Sequence, residues 1–322
     1  MKAIVLSEYG DPSVLKYEER EIPEIESNEV LIKVCAAGVN RPDVIQRIGK
    51  YPAPIGVVQD IPGLEVSGII IDKGDNVTKW EIGQEVMALI PGGGYAEYAT
   101  ADEGSCLPIP KGFTIDDAAA LPEVLFTVWH NIFQRAKLQK NENVLIYGGT
   151  GGIGAMATQL VSLFGAKAHT LVSSDAKADF SKSLGAHKTV NYKQESLLEV
   201  LGSPSMDVIL DSIGGDYFDI NIDLLKPDGR LVYINAMEGG KAMVNIFKVM
   251  QKRLIITGST LRAREYEFKS NLAQDILENA YPLIEDNRFK NMVNYKFPLK
   301  DAAEAHRLMD SREFMGKIVL TV

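Results

Sequence analysis

The residues from Asn143 to Gly154 read NVLIYGGTGGIG, and Gly149, Gly151 and Gly154 fall in the spacing G-x-G-x-x-G. The chemistry this spacing suits is the binding of a pyrophosphate by backbone alone. The first glycine allows a tight turn, the second lets the main chain approach the phosphates, and the third brings a helix close to a strand. Gly149, Thr150, Gly151, Gly152, Ile153 and Gly154 are therefore the candidate phosphate loop. It needs a strand before it and a helix after it, and the sequence supplies both. Val144 to Tyr147 is an apolar run, and Met156, Leu160 and Leu163 or Phe164 share one face of a helix from Ala155 to Phe164. Phosphates held there would sit at the positive end of that helix, among N–H groups with no partner inside it.

If that loop holds a dinucleotide, the end of the second strand must meet the adenosine ribose. A carboxylate there selects a free 2′-hydroxyl. Here Val172 is followed by Ser173 and Ser174, with Lys177 one turn into the next helix. Hydroxyls and an ammonium suit a 2′-phosphate, which a strand-end carboxylate would repel. Asp175 is the opposing residue, two positions further on, where it serves equally at a helix N-terminus. The expected cofactor is NADPH.

The chain has 322 residues, which predicts two domains, and its composition is that of an ordinary globular protein. A net charge of −9 argues against nucleic acid as a partner. Cys35 and Cys106 are too few for a disulfide framework or a zinc cluster, and His130, His169, His187 and His306 form no ligand pairs in sequence. No run reaches the roughly 18 apolar residues of a membrane span, and MKAIVLSEYG reads as a first strand rather than a leader. The expected setting is cytoplasmic, with no membrane partner.

Residues 1 to about 120 are short β-rich runs separated by turn formers: Lys2–Leu6, Glu29–Ala37, Leu64–Asp72, Glu85–Ile90 and Tyr95–Ala99. A barrel or sandwich is expected. From about 113 the texture becomes helical, and then strands alternate with helices through Val144–Tyr147, Ala168–Val172, Lys188–Val190, Asp207–Leu210, Arg230–Ile234 and Leu254–Thr257. That rhythm predicts a parallel, doubly wound α/β sheet. After Arg264 an amphipathic helix carries Phe268, Leu272, Ile276, Ala280 and Leu283, and strands near Val293–Phe297 and Gly316–Val322 are expected to rejoin the first domain. The domains are set at 1–122 with 265–322, and 123–264.

Further motifs narrow the reading. They include Val39-Asn40-Arg41-Pro42-Asp43, Gly49-Lys50-Tyr51-Pro52, Pro62-Gly63-Leu64-Glu65, Gly94-Tyr95-Ala96-Glu97-Tyr98, Asn191-Tyr192, Asp211-Ser212-Ile213-Gly214-Gly215, Leu261-Arg262-Ala263-Arg264 and Gly316-Lys317-Ile318-Val319. Over the whole chain these resemble the medium-chain dehydrogenase/reductase superfamily, in its zinc-free, zeta-crystallin-like quinone oxidoreductase branch, closest to the p53-inducible group. The resemblance implies a GroES-like β-rich catalytic domain beside a Rossmann dinucleotide-binding domain. Zinc-dependent relatives place a cysteine and a histidine where this chain has Asn40 and Leu64, and neither an amide nor a leucine replaces a thiolate or imidazole.

The resemblance also implies further site residues. Tyr192 would join Ser173, Ser174 and Lys177 at the 2′-phosphate. Thr127, Asn235, Ala236, Met237, Gly258, Ser259, Thr260 and Leu261 would meet the nicotinamide, with Lys317 reaching the cofactor from the last strand. On the substrate side, Asn40 would donate an amide N–H to a developing oxyanion, and Tyr51 a hydrogen bond or proton. Thr150 matches a hydroxyl residue tied to activity in similar enzymes. Asp43 is read as ordering the Asn40 turn.

The activity implied is hydride transfer from NADPH to a quinone without zinc. An enone or enoyl reductase uses the same fold and chemistry, and a non-catalytic NADPH-binding redox sensor or structural protein would keep the same loop. A homodimer is expected, because the strand Leu254–Thr257 would leave an open sheet edge.

Overall fold

The computed structural model describes residues 1–322, which form two compact units. The first holds Met1–Phe126, Arg262–Glu285 and Asn291–Val322, and the second Thr127–Leu261 with Asp286–Lys290. The divisions after Phe126 and Leu261 lie within four residues of the expected ones. The small return of Asp286–Lys290 to the second unit has no sequence signal. It is held there by Gln159, whose side-chain amide donates to Lys290 O and accepts from Lys290 N.

The first unit is β-rich, as the turn spacing implied. Its strands are β1 (Lys2–Leu6), β2 (Leu15–Glu19), β3 (Glu29–Val39), β4 (Glu65–Lys73), β5 (Glu85–Leu89), β6 (Tyr98–Asp102) and β7 (Cys106–Pro108). After the second unit's strands, β14 (Val293–Pro298) and β15 (Lys317–Thr321) complete it. The main sheet runs β14-β15-β3-β4-β5-β7, with β6 also on β3 and a separate β1–β2 pair. The chain's last strands therefore rejoin the first domain, as expected. β2 and β7 were not legible in sequence, because β2 (LKYEE) buries only Leu15 and β7 is three residues long. The core packs Ile4, Ile32, Val66, Ile70, Val86 and Ile318 with residues of the helix Ala302–Ser311.

The second unit is a six-stranded parallel sheet of β8 (Asn143–Tyr147), β9 (Lys167–Val172), β10 (Lys188–Asn191), β11 (Met206–Asp211), β12 (Leu225–Tyr233) and β13 (Ile255–Gly258). Its order, β10-β9-β8-β11-β12-β13, reverses direction beside β8, and this is the doubly wound arrangement. Buried Leu145, Leu171, Ile209, Ile222 and Leu231 form its core. Two helices depart from regular α geometry: Trp129–Arg135, and Ile276–Ala280 within the amphipathic stretch after Arg264, form π turns. No helix is long and apolar enough to cross a membrane.

Candidate functional site

In a parallel sheet all carboxyl ends point the same way, so the residues that follow the strands collect along one edge. Every expected cofactor residue of the second unit except Thr127 follows such an end. Residues 149–154 follow β8, 173–177 follow β9, Tyr192 follows β10, 235–237 follow β12, and 259–261 follow Gly258, the last residue of β13.

The glycine loop carries a division of labour close to the expected one, with one change. The tight turn is made by Gly148, whose φ of +74° disfavours side chains, and not by Gly149. Gly149 instead gives way to the neighbouring strand, since a Cβ there would stand 2.5 Å from the Thr170 side chain. At Gly154 a Cβ would lie 2.1 Å from Gly148 O, so only glycine lets the helix Gly152–Phe164 start this close to the loop. A Cβ at Gly151 meets nothing within 4 Å. That open space beside a helix N-terminus fits a pyrophosphate. Thr150 lies between these glycines and is only 5% exposed.

The residues expected at the ribose end lie at the ends of the neighbouring strands β9 and β10. Tyr192 N donates to Val172 O at 3.1 Å, which brings the half-exposed tyrosine beside Ser173. Ser174 Oγ caps the next helix by accepting from Lys177 N at 3.3 Å. Asp175 is engaged elsewhere, because its carboxylate accepts from Asn191 Nδ2 at 3.0 Å. Further along the edge, Asn131 joins two expected nicotinamide residues, donating to Thr127 O at 2.9 Å and accepting from Ser259 Oγ at 2.8 Å. Asn235 turns its side-chain oxygen back onto Ala236 N, and Met237 N donates to Ser212 O. Asp211, which the sequence reading gave no role, locks this edge from beneath. It accepts from Ile213 N and Gly214 N, and from Asn221 Nδ2, which leaves the Asn221 oxygen to Tyr147 OH.

The first unit holds a second constellation. Lys317, Asn40 and Glu65 come from neighbouring strand ends on β15, β3 and β4, and all are buried. Lys317 Nζ lies 2.5 Å from Glu65 Oε1 and 2.7 Å from Asn40 Oδ1, while Asn40 Nδ2 donates to Glu65 Oε1 at 2.7 Å. The Asn40 amide thus engages its oxygen and one N–H in this cluster, and Lys317 two of its three protons, so one proton of each has no partner within the cluster. The sequence signal lay in Leu64-Glu65, which was read only as a missing zinc ligand.

Asp43 does order the Asn40 turn, as expected, accepting from Asn40 N at 2.8 Å. It also accepts from Gly63 N and Tyr95 OH. Burial pushes its carboxyl up to about 6 against those donors. The line continues through His306 Nε2 and Nδ1 to Arg47, which pairs with Asp310. Because Arg47 can only donate, His306 Nδ1 accepts and Nε2 carries the proton toward Tyr95. Burial depresses the imidazole to about 3, consistent with this neutral form.

Two further side chains of the first unit carry protons that could be donated. Tyr51 is partly buried, its carbonyl accepts from Arg262, and the guanidinium lies 5.3 Å from its ring centre. Burial raises its phenol above the ordinary value. Glu123, which the sequence reading missed, opens the helix Pro122–Val128 and donates its main-chain N–H to Glu65 Oε2 at 2.8 Å. Burial and the charges of Glu65 and Asp43 push its carboxyl up to about 7, against the pull of Lys317.

A model of the alcohol dehydrogenase GroES-like domain matches residues 26–111, and one of a zinc-binding dehydrogenase matches residues 184–320. The chain is 30% identical to a quinone oxidoreductase of Rattus norvegicus, over 99% of this chain and 97% of that one. It is 28% identical to an NADPH-dependent alkenal/one oxidoreductase, chloroplastic, of Arabidopsis thaliana, over 99% of this chain and 79% of the other. Among solved structures, the Escherichia coli quinone oxidoreductase complexed with NADPH superposes with a TM-score of 0.87 at 26% identity, over 100% of both chains. Zinc, implied by the second family's description, does not fit these residues. An ammonium and an amide face Glu65 where thiolate and imidazole would be needed, and the ammonium would repel a divalent cation.

The loop geometry separates two substitutions. Gly151→Ala should leave thermal stability unchanged, because its Cβ meets no protein atom, and should weaken nicotinamide dinucleotide binding by roughly tenfold or more. Gly154→Ala should lower both stability and binding. Melting curves with a fluorescence titration of the reduced cofactor check this, and full affinity in Gly151→Ala would remove the pyrophosphate from this loop.

Proposed function

We propose, on the premise that the chain belongs to the quinone oxidoreductase-like branch of the medium-chain dehydrogenase/reductase superfamily, an NADPH-dependent reductase that passes hydride to a quinone without zinc. The observation that carries the cofactor choice is the end of β9. Ser173 and Ser174 follow β9, Ser174 caps the helix that carries Lys177, the main chain of Tyr192 bonds to Val172, and the carboxylate of Asp175 is tied to Asn191. Such a site suits a 2′-phosphate. Gly149 to Gly154 would hold the pyrophosphate, and Thr127, Asn235–Met237 and Gly258–Leu261 the nicotinamide. When bound, NADPH supplies the hydride.

Reduction also requires a proton, so the acceptor gains one hydride and one proton in all. Tyr51 keeps its hydroxyl protonated through the neutral range and would donate a hydrogen bond to the acceptor oxygen. Thr150 would add a second hydroxyl from the loop. Glu123, whose carboxyl burial and the neighbouring charges push up to about 7, would release the proton. An alkenal or enone acceptor is the second reading, favoured by the name of the Arabidopsis relative.

The open edge of the sheet supports a homodimer. β13 is a terminal strand with Ile255 and Ile256 exposed, and the preceding helix exposes Phe247 and Met250. Unpaired strand edges with apolar flanks invite pairing with a second copy.

NADPH oxidation should be fastest with ortho- or para-quinones; turnover of an enone alone would replace the quinone reading. In the same assay, Lys177→Ala should raise the KM for NADPH far more than that for NADH, and equal effects would remove the phosphate role.

As an acid, Glu123 serves while protonated, so kcat should hold below about pH 7 and fall above it. Glu123→Gln should lower kcat and abolish that alkaline limb, with the KM for NADPH little changed. Tyr51→Phe should lower kcat and keep the limb. A limb unmoved in Glu123→Gln would assign the proton to another group.

Sedimentation velocity should give a dimer that Ile255→Lys converts to monomer; a monomeric wild-type chain would dismiss the interface.

A further inference from the structure

Arg262 and Lys269 are the anomaly of the first unit. They are 8% and 3% exposed, yet neither makes an ion pair with a carboxylate. Arg262 directs its N–H groups to two carbonyls and an amide: Pro91 O at 2.7 Å, Tyr51 O at 3.2 Å and Gln46 Oε1 at 2.7 Å. Lys269 Nζ donates once, to Arg262 O at 3.0 Å, and otherwise lies 5.8 Å from the centre of the Tyr266 ring. An ammonium has three protons to place, so two are left without a protein acceptor.

The carboxylates that act on these cations are committed elsewhere. Glu265 pairs with Arg264, and Asp102 accepts from Gly104 N. Asp43 is enclosed by Asn40, Gly63 and Tyr95. Burying a cation without a counter-charge is costly, and it usually marks a place that an anion completes. Burial also holds both groups below their ordinary pKa values, the same cost seen as a weakened hold on the proton.

Both cations line one cavity of roughly 160 Å³ in the first unit, far above the roughly 10–15 Å³ that a single water occupies by this measure. Its remaining wall is apolar on one side, formed by Pro54, Ile55, Val57 and Pro91. Ile55 is fully exposed at this rim, an unusual place for a branched aliphatic side chain. A planar guanidinium and an ammonium beside an apolar lip match an anion with a hydrocarbon body more closely than a small inorganic ion.

We propose that this cavity is a binding site for an organic carboxylate, its head between Arg262 and Lys269 and its apolar part against Pro54, Ile55 and Val57. The site is independent of the reductase reading, since it uses none of the expected cofactor residues. Its occupant would also bear on Tyr51, because Arg262 holds the Tyr51 carbonyl and covers its ring.

The test uses the full chain saturated with NADPH, so that the phosphate loop cannot be the anion's target. Calorimetric titration with hexanoate, at constant ionic strength, should show saturable binding, with acetate weaker and the neutral isostere hexanol weaker by roughly tenfold or more. Lys269→Met should lose the hexanoate response while retaining NADPH binding, and Lys269→Arg should restore most of it. Hexanol binding as well as hexanoate would overturn the proposal by reducing the site to an apolar patch. So would hexanoate affinity unchanged in Lys269→Met, or a response to inorganic phosphate alone. The hexanoate and hexanol comparison is made on the wild-type chain, so the proposal stays open to refutation even if a variant fails to fold.

Discussion

The contact between Lys317 and Glu65 is the constraint around which the first unit is arranged. It ties the start of β15 to the start of β4, the two strands that flank β3, with Asn40 just beyond the end of β3. Because β3 is antiparallel to both neighbours, all three residues reach one end of the sheet. A buried ion pair stabilises little unless its remaining donors and acceptors are satisfied. Here the carboxylate is well supplied: Glu65 receives Lys317, the Asn40 amide and the N–H of Glu123, while Lys317 places two of its three protons. The arrangement also explains Gly38, where a Cβ would stand 2.0 Å from Glu65 Oε1. Removing one partner would strand a buried charge, at a cost of about 3–5 kcal/mol.

From this pair the local order spreads outward. The Glu65 carboxylate accepts one of the N–H groups that a helix leaves unpaired at its start, and so fixes where Pro122–Val128 begins. On the other side, Asn40 N docks on Asp43, and Asp43 anchors the line through Tyr95 and His306 to Arg47. The rigid part of the candidate site is thus a polar network within an apolar core. Tyr51 stands outside it, held by Arg262 through its backbone and ring alone.

The two units were unequally legible in sequence. The second could be read almost strand by strand, because parallel strands buried on both faces are continuous apolar runs such as Val144–Tyr147, and glycine spacing reports backbone geometry directly. Even there the register of the turn was misread. Gly148 and Gly149 are adjacent, and only the structure shows which one carries the positive φ. In the first unit the spatial partners are up to 277 residues apart in the chain, as Lys317 is from Asn40. Motif spacing carries no signal of such pairing. Asn40 and Lys317 stand out in the sequence as ligand-facing residues, and that they also bond to each other has no sequence signal. Glu123 left no trace in sequence, because its chemistry comes from the charges that surround it.

Those charges explain why a carboxyl at position 123 stays protonated into the neutral range. Lys317 is the cation of the buried cluster, and Glu65 already neutralises it at 2.5 Å. The neighbouring Asp43 is itself held up near 6 by burial. Ionising Glu123 would add a negative charge to a cluster whose positive charge is already matched, in surroundings that solvate it poorly. Its proton is thus retained by the same pair that orders the sheet end. An arginine at position 317, with a second fork of donors, would lower that barrier and make Glu123 release its proton more readily. The identity of the strand-end cation therefore governs the acidity of a group on a separate helix, and structural stability and proton chemistry in this unit rest on one ion pair.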